Sequence, residues 1–242
     1  MPGLAPNVTD PELAPEQELA AATEAMVTHE EYPCLGARSV MRRERATIRV
    51  YDELGSPEGA AALLADLADF AAGVDLDEGF ASFVAVFRGP VLHDERHFEA
   101  LLWAHLRALH AADEEPWAPG VSADPQDAHF AFSAGGTAYF VVGLHPQASR
   151  DARRAAVPTL VFNLHEQFEA LRASGGYERM RDRIRARDEQ LQGSVNPMVR
   201  DHGESSEARQ YAGRVVGDAW VAPFEPDPTL PQAPPAPPGE GS

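Results

Sequence analysis

Apolar and polar positions along the chain switch between a period of two and a period near 3.6. Ala46-Thr47-Ile48-Arg49-Val50-Tyr51 alternates and predicts a strand. Ser56-Pro57 supplies an N-cap and a first-turn proline, and Leu63, Leu67 and Phe70 then recur on one helical face. Ser82 to Phe87 is nearly apolar throughout, as a central strand would be. His93 to His110 predicts a helix with Phe98, Leu102, Leu106 and Leu109 on one stripe. His129–Ser133 and Thr137–Leu144 predict two strands joined by a hairpin at Ala134-Gly135-Gly136. Pro158–Phe162 predicts a fifth strand. Asn163, with Glu166 three residues on, is then expected to cap a helix. Tyr177–Leu191 predicts a long helix with Tyr177, Met180, Ile184 and Leu191 inward. The pattern amounts to a single α+β domain whose largely antiparallel central sheet is covered by helices.

Composition sets the limits of that domain. Residues 1–22 are rich in Pro, Ala and Glu and predict a flexible arm with a short helix near Pro15–Met26. Residues 23–224 carry the domain, and the Pro/Gly-rich residues 225–242 predict a disordered tail. With 242 residues the chain can bury a sizeable core. It has no apolar run long enough to cross a membrane. Met1–Asp10 lacks the basic and apolar regions of a secretory signal, so the expected location is cytoplasmic. The single cysteine, Cys34, excludes an intrachain disulfide and a thiolate-rich zinc site. A net charge of −18 argues against nucleic acid or an anionic membrane as partner. Every basic residue is arginine, so neither a Schiff base nor a lysine general base is available.

The chain has no phosphate loop, nucleophile elbow or CxxC pair. Its most informative stretch is Gly143-Leu144-His145-Pro146-Gln147-Ala148-Ser149-Arg150, behind the apolar run 138–142. A strand ending at a histidine before proline can set an imidazole at the sheet rim, as a metal or heme ligand or as a base; otherwise it caps the sheet. Ser149, Arg150, Arg153 and Arg154 follow. Guanidinium forks there suit a carboxylate or heme propionates, or else face solvent. His165 falls in a first helical turn, where the macrodipole favours the neutral imidazole a metal needs; packing or capping is the alternative. Cys34, four residues before Arg38, is either an iron-ligating thiolate or a small buried apolar group. His93, His97, His105 and His110 lack a metal-binding pattern and read as surface and packing residues. The polar stretches 194–198 and 201–211 supply Asn196, Glu204, Glu207 and Arg209. These either line a pocket whose carboxylates suit a cationic amine or guanidinium, or form an exposed loop.

Several of these segments together resemble the YqcI/YcgG family: Tyr-Pro-Cys-Leu-Gly-Ala-Arg (32–38), Gly-Leu-His-Pro-Gln-Ala-Ser-Arg (143–150), Pro-Thr-Leu-Val-Phe-Asn-Leu-His-Glu-Gln-Phe-Glu (158–169), Gly-Ser-Val-Asn-Pro-Met (193–198) and Ser-Glu-Ala-Arg-Gln-Tyr (206–211). The resemblance spans about residues 28 to 224. It implies a b-type heme and N-hydroxylation of arginine or a related amino or guanidino compound, using dioxygen and electrons from a separate reductase. It also implies His145 as first choice of axial ligand, with His165 and Cys34 next. Ser149, Arg150 and Arg154 would sit at the cofactor, and Glu204, Glu207 and Asn196 at the substrate. A heme sensor or carrier without turnover, or a cofactor-free binding protein, are the alternatives. An open sheet needs edge protection, which makes a homodimer a candidate assembly.

Overall fold

The computed structural model describes residues 4–198 and 205–227 of the chain. Its order is α1 (Glu16–Thr28), α2 (Leu35–Arg42), β1 (Ala46–Glu53), α3 (Pro57–Gly73), β2 (Ser82–Gly89), α4 (Glu95–Ala112), β3 (Phe132–Ala134), β4 (Thr137–Leu144), β5 (Thr159–Leu164), α5 (His165–Ala173), α6 (Tyr177–Gln192) and α7 (Ala208–Tyr211). The five strands form one sheet in the order β1-β2-β5-β4-β3. Only the β1–β2 pair is parallel, bridged by α3; β2–β5, β5–β4 and β4–β3 are antiparallel. The fold is therefore α+β with a mostly antiparallel sheet.

The predicted elements arise for the reasons the pattern suggests. Ser56 Oγ accepts from the Gly59 N–H and caps α3, with Pro57 in the first turn. Ala134 pairs with Thr137 across Gly135 and Gly136, whose φ values of 58° and 69° suit a two-residue hairpin turn. β3 is shorter than expected, because residues 129–131 leave the β4 register and only Phe130 makes an isolated bridge, to Ser122.

The sheet's two faces differ. One face meets α3 and α4 in the main core, where Phe83, Phe87, Phe162, Tyr139 and Val141 pack on Leu63, Leu67, Phe98, Leu102, Trp103 and Leu106. The other face carries α1, α2 and α6 over two smaller clusters.

Two expectations need correction. The arm 1–22 is not loose where it is described. Leu4, Val8, Ala14 and Leu19 are buried in the smaller clusters, and the Arg88 guanidinium donates to the Pro11 and Ala14 carbonyls. A Pro/Ala-rich composition concealed enough apolar side chains to dock. Asn163 does not cap α5. It belongs to β5, where its Oδ1 accepts from Ser82 Oγ at 2.7 Å and its Nδ2 donates to the Phe140 carbonyl at 3.3 Å. The hydrophobic pattern assigned no element between Cys34 and Arg43, where the chain forms the helix α2. Of the tail from 225 onward, residues 228–242 lie outside the described residues. Asp227 is described, and its N–H donates to His110 Nε2 at 2.8 Å.

Candidate functional site

Strand alternation builds a cavity. On β4 and β5, Tyr139, Val141, Leu160 and Phe162 are fully buried in the main core, whereas Phe140, Val142, Val161 and Asn163 are only half-buried on the opposite face. The half-burial is space: α2 and α6 span this face without filling it and leave a cavity of about 270 Å³. That is close to the lower end of small-molecule pockets, roughly 300–1,000 Å³. The inward residues of α6, Tyr177, Met180 and Ile184, are half-buried because they face this space rather than close-packed core. The walls are largely aliphatic and aromatic, with Asn196, Gln167, Gln210, Asp188 and Arg153 as polar members.

Cys34 stands in the cavity wall as the N-cap of α2, and its sulfur accepts from the Ala37 N–H at 3.5 Å. Burial raises its thiol pKa; the Ala37 and Gly36 N–H groups and the nearby Arg153 oppose that rise. Arg153 Nη1 donates to the Gly143 carbonyl at 3.0 Å. Its guanidinium is electrostatically coupled to Tyr32 and Cys34.

His145 lies on the other side of the sheet's end. Leu144 faces the cavity, so the next residue in line points away from it, and the His145 ring stacks on Phe98 of α4 at 4.1 Å. The residue is 1 % exposed, and neither ring nitrogen has a hydrogen-bond partner among the described residues. Burial drives its pKa down to about 4, against a smaller upward pull from Glu95 and with a further lowering by Arg153. The backbone approach here is close: a Cβ on Gly143 would stand 2.6 Å from a Phe98 ring carbon and 2.7 Å from the Tyr211 carbonyl.

The groups expected to hold heme propionates are committed elsewhere. Arg150 is buried. It donates to Asp188 Oδ2 at 2.6 Å and to the Ser194 carbonyl at 2.6 Å, clamping the segment after β4 to the end of α6. Arg154 donates to the Ala148 carbonyl and pairs with Asp151 at 2.7 Å. Ser149 donates both its N–H and its Oγ–H to Glu95 Oε1. In this structure all three act as local fasteners, a role the Arg-rich sequence did not announce. Asn196, in contrast, does reach the cavity; its N–H donates to Asp188 Oδ2 at 2.8 Å.

His165 opens α5 and stands 4.0 Å from Glu207 Oε1 and 3.7 Å from Glu169 Oε1. Glu207 also has Arg172 at 3.9 Å, while its Oε2 is buried and without a partner. Burial pushes the Glu207 carboxyl up to about 7, with Arg172 opposing and Glu169 adding to the rise. This cluster borders the cavity through Gln167 and Gln210, each within three residues of it in sequence. Glu204 lies outside the described residues. Arg209 donates to the Gly217 and Trp220 carbonyls and does not line the cavity. Among the described residues, no group of three His, Cys, Asp or Glu side chains is placed to hold a metal ion by itself.

Asp188 went unnoticed in the sequence, although a signal existed. It falls on the same helical face as Tyr177, Ile184 and Leu191, and an acid on an apolar stripe calls for a partner.

The YqcI/YcgG family profile matches residues 23–225. The chain belongs to the YqcI/YcgG family. The YqcI/YcgG region contains Cys34, His145, His165 and Glu207 and all the cavity-lining residues, and it omits the arm before residue 23. No curated protein and no solved structure matches the chain. No helix among the described residues is long and apolar enough to cross a membrane.

Proposed function

We propose that this YqcI/YcgG chain is a heme-dependent monooxygenase that N-hydroxylates an amino or guanidino group of a small amino acid such as arginine. The porphyrin would occupy the apolar cavity, with Cys34 rather than His145 as the iron ligand. The observation that carries this reading is the placement of Cys34 Sγ in the cavity wall, at a helix N-terminus and under a backbone N–H. The lining suits the group in its chemistry, with apolar side chains for the faces of a macrocycle and one sulfur for its axial ligand, while a cavity of about 270 Å³ would have to widen between α2 and α6 to admit it. When bound, heme supplies the activation of dioxygen.

The chain's own residues hold charge and exclude water. The Ala37 N–H and the positive end of α2 favour a thiolate against the burial that raises the Cys34 pKa, and as a thiolate Cys34 would hold the iron. Arg153 adds a cation on the same side. Glu207, with a raised pKa and an unpartnered oxygen, gains ionisation when a cation approaches, which suits the amino or guanidino end of a substrate. Asn196 and Gln210 add polar contacts at the wall.

One observation favours a different ligand, with the group on the side of the sheet away from the cavity: the buried His145, neither of whose nitrogens is partnered. The test is to express the protein with a heme precursor, record ferric, ferrous and ferrous–CO spectra, and titrate arginine and simple amines. The reading expects a Soret band, a substrate-induced shift, and a hydroxylated product with dioxygen and an electron donor. A protein that stays colourless at full heme supply contradicts it.

A further inference from the structure

The arginines are unevenly placed. In a chain of net charge −18, α2 carries Arg38 and Arg42, and α6 carries Arg179, Arg183 and Arg187 at four-residue intervals. Each set follows the i, i+4 spacing that aligns side chains on one helical face. The two helices pack on each other and are joined by a shared acceptor: Arg38 Nη1, at 3.2 Å, and Arg187 Nη2 both donate to the Glu30 carbonyl. Two guanidinium groups are thus held side by side on one oxygen.

Arg187 is also anchored to the Tyr32 carbonyl at 3.1 Å, and the Nε atoms of Arg38 and Arg187 are buried without partners. Burial, then the charges of Arg42 and Arg187, lower the Arg38 pKa, with Glu30 opposing. Arg42, Arg179 and Arg183 are exposed. Glu31, Glu178 and Asp182 are nearby in sequence; of these, Asp182 accepts from Arg181 at 3.0 and 3.1 Å. Like charges crowded in this way destabilise the protein by themselves and gain from a negative surface laid against them.

The position of the patch points to its partner. It occupies the outer side of the two helices that wall the cavity. Arg38 is one turn along α2 from Cys34, about 6 Å at 1.5 Å per residue. An electron carrier docked there would face the cavity across one helix. With a screening length of about 8 Å at physiological ionic strength, the chain's remaining negative charge acts weakly at this distance.

We infer that the arginine face of α2 and α6 is the docking surface for an acidic one-electron carrier protein of the ferredoxin or flavodoxin type. The inference rests on the oxygenase reading, which requires electrons from outside the chain. Nucleic acid is disfavoured because an extended polyanion would reach beyond these arginines to a chain of net charge −18.

The test compares wild type, the triple variant Arg42→Glu/Arg179→Glu/Arg183→Glu, and Arg49→Glu, an exposed arginine on β1 outside α2 and α6. Binding of an acidic [2Fe–2S] ferredoxin and of a flavodoxin is measured by calorimetry at low and high salt, which needs no heme. Reduction of the heme-loaded protein by the tighter-binding carrier is compared with reduction by dithionite. The expected result is salt-sensitive binding to wild type and Arg49→Glu, weakened about tenfold or more in the triple variant. Carrier-driven reduction falls in parallel, while dithionite reduction and melting temperature stay as in wild type. Equal affinities in wild type and triple variant, no binding of either carrier at low salt, or tighter binding of a short DNA duplex each overturns the inference. A colourless protein that still binds the carrier through these arginines sinks the oxygenase reading and leaves the docking face standing.

Discussion

Replacing His145 by leucine removes a buried imidazole whose nitrogens have no partner, and its consequence can be worked from the structure. An unsatisfied buried polar group destabilises a fold by about 1–3 kcal/mol. The lost stacking on Phe98 offsets about 1 kcal/mol of the relief, and imperfect repacking offsets a similar amount. These contributions nearly cancel, so His145→Leu is expected to lie within about 1 kcal/mol of wild type at about pH 7.

The pH dependence is the sharper signature. The folded imidazole has a pKa of about 4 against 6.5 for the ordinary side chain, so the unfolded chain binds the proton more tightly. Its stabilising contribution is fully present above about pH 6.5 and is lost as pH falls toward about 4. Linkage gives a loss of about 2 kcal/mol between about pH 7 and about pH 5 from this residue alone.

His105, also near 4, titrates in the same window, and Glu207, with its raised pKa, acts with the opposite sign. Both are present in wild type and variant, so their contributions cancel in the comparison. The assay is urea unfolding of the heme-free protein at the two pH values. His145→Leu should lose about 2 kcal/mol less than wild type on acidification. A variant as acid-sensitive as wild type, or markedly less stable at neutral pH, would refute the reading of His145 as a buried, neutral and unpartnered group.

Other outcomes follow from named contacts. Gly143→Ala forces a methyl against the Phe98 ring and the Tyr211 carbonyl, one of them backbone, and should destabilise by about 3 kcal/mol or more in thermal unfolding. Arg150→Met leaves Asp188 charged and buried and should lower stability by about 3–5 kcal/mol, whereas a solvated loop arginine would change little. Deleting residues 1–14 removes the buried Leu4, Val8 and Ala14 and should lower the melting temperature by roughly 10 °C; an unchanged melting curve would show that the arm does not contribute.

Much of the fold was legible because its elements bury one face against the core. The stripes of α3 and α4, the apolar β2 and the glycine hairpin each carry their own local signal. The failures occurred where local chemistry has two outlets. Asn163 followed by Glu166 resembles a cap, yet a polar side chain in a strand beside a cavity satisfies itself across the sheet through Ser82 and Phe140. Helix α2 is eight residues with a glycine near its start, too short for periodicity to announce.

The site was legible as residue types but not as geometry. Cys34 and His145 both drew attention, but the alternation after Leu144 that turns His145 away from the cavity depends on where β4 meets its layers. Arg150 pairs with an aspartate 38 positions away, a partner no local reading can assign.

The central claim is that Cys34, in the wall of the apolar cavity, ligates a heme iron. The most direct measurement is the ferrous–CO spectrum of the heme-loaded protein, compared between wild type, Cys34→Ser and His145→Leu. The account predicts a strongly red-shifted CO Soret band, the mark of thiolate ligation, in wild type and His145→Leu and its loss in Cys34→Ser. A spectrum unaltered by Cys34→Ser and abolished by His145→Leu would contradict it.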